Sequence, residues 1–229
     1  MTDHPFSVAI DGPSGAGKST LARRAAKRFG FLYVDTGAIY RCVGLACLRA
    51  GIGTRDAAAV EAKLPDIRIR MAYNEEGEQR MFLNGDDVSA EIRLPEVSIA
   101  ASDVSALPVV RAYLMEMQRS IARENSVIMD GRDIGTVVLP QAELKVFLTA
   151  SAEARAQRRL LELRQKGVET SFEEVLRDIR YRDEQDSNRA AAPLRQAEDA
   201  VLLDTSELGL EESVDALCAL IADRLGDRA

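Results

Sequence analysis

Phe6-Ser7-Val8-Ala9-Ile10-Asp11 runs without a break into Gly12-Pro13-Ser14-Gly15-Ala16-Gly17-Lys18-Ser19. An apolar stretch, a loop fitting G-x-x-x-x-G-K-[ST] and a helical segment beginning near Lys18 predict a strand, a phosphate-binding loop and a helix. The spacing has a physical reason. Glycines let successive backbone N–H groups turn inward around phosphate oxygens, and the N-terminus of the following helix adds its partial positive charge. Gly12, Pro13, Ser14, Gly15, Ala16, Gly17, Lys18, Ser19 and Thr20 are therefore expected to hold ATP, with Lys18 reaching the β and γ phosphates. Ser19 or Thr20 supplies a hydroxyl for Mg2+, and the two adjacent hydroxyls leave the choice open.

Outward from that loop, short runs rich in β-branched residues predict strands at 6–10, 31–34, 126–129, 144–148 and 200–203. Being nearly apolar throughout and separated by helical segments, they imply a five-stranded parallel sheet covered by helices on both faces, a doubly wound α/β fold. The third strand ends in Asp130, where an acid would stand beside the phosphate loop, near Mg2+ and its waters. More than ninety residues separate the second and third strands, too many for an ordinary crossover. Within them 66–73 and 79–83 alternate polar and apolar residues around a turn at 74–78, an antiparallel hairpin expected to stand apart from the parallel core. Helical periodicity returns at 109–123. Ser151 opens a further helix, a second runs over 171–183, and a polar stretch follows with Arg182, Asp186, Asn188 and Arg189. One domain over 1–229 accommodates all of this. Its core covers about 1–55, 124–150 and 199–229, an insertion about 56–123, and an Arg-rich region about 151–198.

Composition narrows the chemistry. The chain is 46% hydrophobic and 29% charged, as expected of a globular protein. Its formal charge of −7 argues against the nucleic-acid backbone as main partner. The single histidine, His4, precedes the first strand, so Ser-His-Asp hydrolysis, H-E-x-x-H zinc sites and histidine general bases have no residue to use. Cys42, Cys47 and Cys218 are odd in number and lack C-x-x-C pairing, which predicts reduced, inert thiols. No apolar stretch approaches the roughly 20 residues of a membrane span, and the start lacks a basic leader; the expected compartment is the cytoplasm.

A guanine-nucleotide switch would carry N-K-x-D and a transporter-type ATPase L-S-G-G-Q; neither string is present, which leaves a kinase acting on a small acceptor. Ile10-Asp11-Gly12-Pro13-Ser14-Gly15-Ala16-Gly17-Lys18 followed by Asp35-Thr36-Gly37-Ala38-Ile39-Tyr40-Arg41 resembles the bacterial cytidylate kinase family. Val88-Ser89-Ala90-Glu91-Ile92-Arg93, Asp130-Gly131-Arg132-Asp133-Ile134-Gly135-Thr136-Val137-Val138, and Arg182-Asp183 with Asp186, Asn188, Arg189 and Ala192-Pro193-Leu194 agree with it. The resemblance implies a sheet order 2-3-1-4-5, a monophosphate-binding insertion, a helical lid, and transfer of a phosphoryl group from ATP to CMP or dCMP. It implies that Thr36, Arg41 and Arg132 hold the acceptor phosphate, that Ser102, Arg111 and Asp133 read cytosine, and that Arg182 and Asp186 contact the ribose. Lys18, Arg132, Arg158, Arg182 and Arg189 form the implied catalytic set, with Arg155 beside Arg158 in the lid; Ser19, Thr20 and Asp130 (through water) serve the metal. The family commonly has Ser where this chain has Thr36, and often Gly where it has Ser19; both changes keep a hydroxyl nearby. A kinase for another acceptor such as UMP or AMP is the alternative. The expected partners are small molecules, CMP and dCMP, with no nucleic acid or membrane, and the expected state is a monomer.

Overall fold

The computed structural model describes residues 4–165, 167–188 and 191–227. The chain opens with β1 (Ser7–Asp11), α1 (Lys18–Phe29), β2 (Leu32–Asp35) and α2 (Thr36–Arg49). It continues through α3 (Ala57–Lys63), β3 (Ile69–Tyr73), β4 (Gln79–Leu83), β5 (Asp86–Asp87), α4 (Pro95–Ser105) and α5 (Pro108–Glu124). Then come β6 (Val127–Gly131), a π-turn (Ile134–Val138), β7 (Leu144–Thr149), α6 (Ala152–Gln165), α7 (Phe172–Ser187), β8 (Val201–Asp204) and α8 (Leu210–Gly226). Local signals set many of these ends. Gly30 takes the left-handed conformation that stops α1 and returns its N–H to the Ala26 carbonyl. Pro95 and Pro108 stand at the first positions of α4 and α5, where a missing N–H costs nothing. Ser171 and Glu174 close a capping box on α7.

Five strands pair in parallel in the order β2-β6-β1-β7-β8; counted along the chain within this sheet, that is 2-3-1-4-5. Alternation along each strand divides the core. Val8, Ile10 and Ile128 face one buried cluster with α1 and α8, while Ala9, Val127 and Met129 face another with α2 and α5. Edge strand β8 departs from the expected double burial, with Val201 and Leu202 exposed, whereas the other edge strand, β2, is buried from Tyr33 to Asp35. Among the described residues no single helix is long and apolar enough to cross a membrane.

The expected hairpin forms, with Ile69 opposite Leu83 and Tyr73 opposite Gln79. Its first strand starts at Ile69 because Leu64–Asp66, with Pro65 inside, turns as a 3-10 helix. It does not stand apart. Met81 and Leu83 are buried in the α2 cluster, the Tyr73 hydroxyl donates to the Tyr33 carbonyl at 2.8 Å, and Asp35 N–H donates to Gln79 Oε1 at 2.8 Å. A second correction concerns α7, which runs through Ser187 rather than stopping near 183. No Gly or Pro interrupts Asp183 to Ser187, so the helix continues as a polar turn whose period is invisible in the apolar pattern. Arg182 and Asp186 thus sit one turn apart on the same helix, not in a loop.

Candidate active site

The phosphate loop leaves β1 at the centre of the sheet, between β6 and β7, the crevice position where parallel α/β sheets take ligands. Gly12 has φ +151°, and a Cβ there would lie 1.9 Å from the Leu148 carbonyl oxygen, so no other residue fits. Gly15 and Gly17 are left-handed at +77° and +88°, which turns the loop into a cradle at the head of α1. Lys18 is buried, its Nζ donating to the carbonyls of Gly12 at 2.7 Å and Pro13 at 2.8 Å. Burial and then the nearby Arg132 guanidinium push its pKa down. A lysine at the head of α1, beside a cradle of glycine amides, fits a polyphosphate.

The structure separates the two loop hydroxyls. Ser19 Oγ donates to Asp130 Oδ2 at 2.8 Å, whereas Thr20 is exposed. Tyr33, which lies hidden inside an apolar strand run, donates its hydroxyl to the other Asp130 oxygen at 3.2 Å. Burial and the adjacent Asp35 raise the Asp130 pKa, which a cation nearby would reverse. A hydroxyl beside a charge-strained carboxylate is a donor set suited to Mg2+ held largely through phosphate and water.

Across Asp130 lies the start of α2. Thr36 Oγ1 donates to the Asp130 carbonyl at 2.8 Å, which joins the start of α2 to the end of β6. Asp35 caps α2 by accepting from Ala38 N–H at 2.9 Å, and its other oxygen faces Arg93 at 3.0 Å and Arg41 at 3.6 Å. Arg41 Nη1 is buried and makes no hydrogen bond, being beyond hydrogen-bond distance of Asp35, so its donor capacity is unspent. Asp35 and Arg93 belong to stretches that the family resemblance already marked, but no role followed from sequence because their pairing spans 58 residues.

Arg111 and Asp133, both buried, form an ion pair, and Arg111 also lies over the Tyr40 ring, 5.7 Å from its centroid. Arg132 Nε donates to Asp186 at 2.6 Å, tying α7 to the loop after β6. Arg155 does more than the lid position suggested: it donates to the carbonyls of Ala150 and Ser14, both at 2.9 Å, and holds Asp183 at 2.6 and 2.9 Å. Helices α6 and α7 are therefore fastened to the phosphate loop itself. Arg158 points elsewhere, donating to Thr205 and to the Leu208 carbonyl after β8, contacts it would have to leave to reach a phosphoryl group. Arg182 is exposed on α7, and Ser102 is exposed on α4, one turn before Ser105, whose carbonyl accepts from Arg111 at 3.3 Å. Arg189 lies outside the described residues.

A phosphate loop leaving the central strand of a parallel sheet, beside an acidic strand end, defines the P-loop phosphotransferase class. Residues 8–223 match the model of the cytidylate kinase family. The chain belongs to that family. It is 46% identical over 217 residues to the cytidylate kinase of Syntrophotalea carbinolica, covering 95% of this chain and 92% of the relative. To the cytidylate kinase of Carboxydothermus hydrogenoformans it is 51% identical over 214 residues, covering 93% and 96%. A solved structure of an uncharacterized protein from Eubacterium ventriosum superposes with a TM-score of 0.52 at 9% identity, covering 95% of this chain and 98% of the other, a likeness of fold alone.

Proposed function

We propose that this protein transfers the γ-phosphoryl group of ATP to CMP and dCMP, giving ADP with CDP or dCDP, as a cytoplasmic monomer. The observation that carries the acceptor choice is the buried Arg111–Asp133 pair on the acceptor side of Asp130. An ionised carboxylate only accepts hydrogen bonds, which suits the cytosine amino group and opposes the uracil O4, while the guanidinium donates to the N3 and O2 edge. The two side chains pair with each other and still present unused lone pairs and donors to a base. Ser102, with no hydrogen bond to its hydroxyl among the described residues, is proposed to complete the base contact.

Arg41 and Arg132 bind the acceptor phosphate, with Thr36 fixing the backbone at Asp130 rather than donating directly. Arg182 and Asp186 face the ribose from α7. Lys18 gives up its two loop carbonyls to hold the β and γ phosphates, and Arg132 with Arg182 and Arg189 balances the charge that spreads over the phosphoryl oxygens during transfer. Arg158 is proposed to steady the loop at 205–208, and would act on phosphate only after release. Ser19 would bind Mg2+ directly and Asp130 through water, Thr20 being turned out. The ion, when bound, neutralises phosphate charge and orients the oxygens. With no histidine near the cleft, positioning and charge do the work, not a strong base.

The test is a coupled measurement of ADP release with CMP, dCMP, UMP, AMP and no acceptor. Rapid release with CMP and dCMP is expected. Equal or faster release with AMP or UMP overturns the acceptor assignment, and an equal rate without acceptor overturns transfer.

A further inference from the structure

Asp11 is the last residue of β1 and immediately precedes Gly12 of the phosphate loop, yet its side chain serves the opposite cleft. It is buried, and its two oxygens accept the N–H groups of Ile134 and Gly135, each at 2.7 Å. Those are the first two amides of the π-turn that follows Asp133. Inside the turn the Asp133 carbonyl accepts from Val137 and Val138, and the Ile134 carbonyl from Leu139, so the leading amides find their partner in Asp11. Gly135 makes the approach possible: a Cβ there would come within 3.3 Å of Asp11 Oδ2 and 3.2 Å of the Lys145 stem. At the far end Arg119 donates to the Val137 and Val138 carbonyls, both at 2.9 Å.

The arrangement is costly. It buries a carboxylate near Asp133, and burial with that neighbour raises the Asp11 pKa to about 6 against the two stabilising amides. A turn that needed only a stable cap has cheaper ones, such as a partly exposed serine. The distinctive result of this one is that a residue rigidly joined to the phosphate loop fixes the backbone on which Asp133 is carried.

We propose that Asp11 is a positioning residue for acceptor selection, holding the 133–135 backbone so that the Asp133 carboxylate meets the pyrimidine edge, and that Gly135 is required for this hold. The inference rests on the proposed reading of Asp133 as the base contact. Asp11→Asn keeps the shape but turns an NH2 toward one backbone N–H, which breaks half of the clamp.

The experiment compares kcat and KM for CMP, UMP and ATP in the wild type, Asp11→Asn, Gly135→Ala and Asp133→Asn. For Asp11→Asn and Gly135→Ala, KM for CMP should rise and the CMP to UMP ratio of kcat/KM should fall, by about tenfold or more, as misplacing a positioned group by a fraction of an ångström does. KM for ATP should stay within about twofold, a split that general loosening of the fold would not produce. If Asp11→Asn fails to fold, Gly135→Ala carries the same reading. An intact ratio in the folded Asp11 and Gly135 variants, with the ratio lowered in Asp133→Asn, overturns the positioning role alone. An intact ratio in Asp133→Asn means the base reading itself is wrong, and the Asp11 proposal falls with it.

Discussion

Lys18 is held by two carbonyls in a buried position that disfavours its own charge. Replacing it with Ala removes a desolvated cation with no carboxylate directly on it, so the fold should lose little; transfer should fall by about 10²-fold or more with the loss of a contact to the transferring group. Turnover and thermal melting of Lys18→Ala, measured together, check this. Near-normal turnover contradicts the role given to the phosphate loop. At this scale the sequence was legible where chemistry is written in a contiguous motif. The loop glycines, Lys18 and Asp130 all lie where their motif put them. Contacts made by chain crossing were not legible. Tyr33 reads as one more strand residue until its hydroxyl is seen on Asp130, and nothing local marks the contact of the Thr36 hydroxyl with the Asp130 carbonyl. The choice between Ser19 and Thr20 needed the helix phase, which only the folded loop supplies.

Between elements, the joint that matters most is the one binding α6 and α7 to the phosphate loop. Val175 and Ile179 of α7 pack with Ala156 and Leu160 of α6 in a small cluster of their own, separate from the two clusters on the sheet. So little apolar contact leaves α6 and α7 dependent on polar ties, chiefly Arg155 to Ser14 and Asp183 and Arg132 to Asp186. Arg155→Ala leaves the Ala150 and Ser14 carbonyls and Asp183 without their donor. Because Asp183 is partly exposed, the cost should be about 2 kcal/mol, below that of a fully buried pair. A higher KM for ATP should accompany it. Denaturant titration and ATP saturation curves check both; a variant of unchanged stability and KM would show that the tie is incidental. The opening of α6 at Ser151 and the start of α7 near Ser171 were visible in the sequence, whereas the polar final turn of α7 was not, since no apolar residue marks its buried side.

Across the whole molecule, the insertion is continuous with the core, as the burial of Met81 and Leu83 with α2 requires, and the three cysteines lie buried in the two main clusters. Burial pushes the Cys42 thiol up to about 12 and raises Cys47 and Cys218 as well. A thiol reagent at pH 8 should therefore label none of them in the native protein and all three in denaturant; fast native labelling would contradict the packing. The doubly wound layers and the inserted hairpin follow from where apolar strands and the long gap fall, and the sheet order from the family resemblance, which is why they could be anticipated. How the hairpin docks could not, because Gln79, Tyr73 and their strand partners carry no local mark. The most direct measurement of what the molecule does is to supply ATP labelled at the γ-phosphoryl together with CMP and to follow the label. Its appearance at the β-phosphate of CDP, lost in Lys18→Ala, is the expected result; label released as inorganic phosphate at the same rate with or without CMP would contradict it.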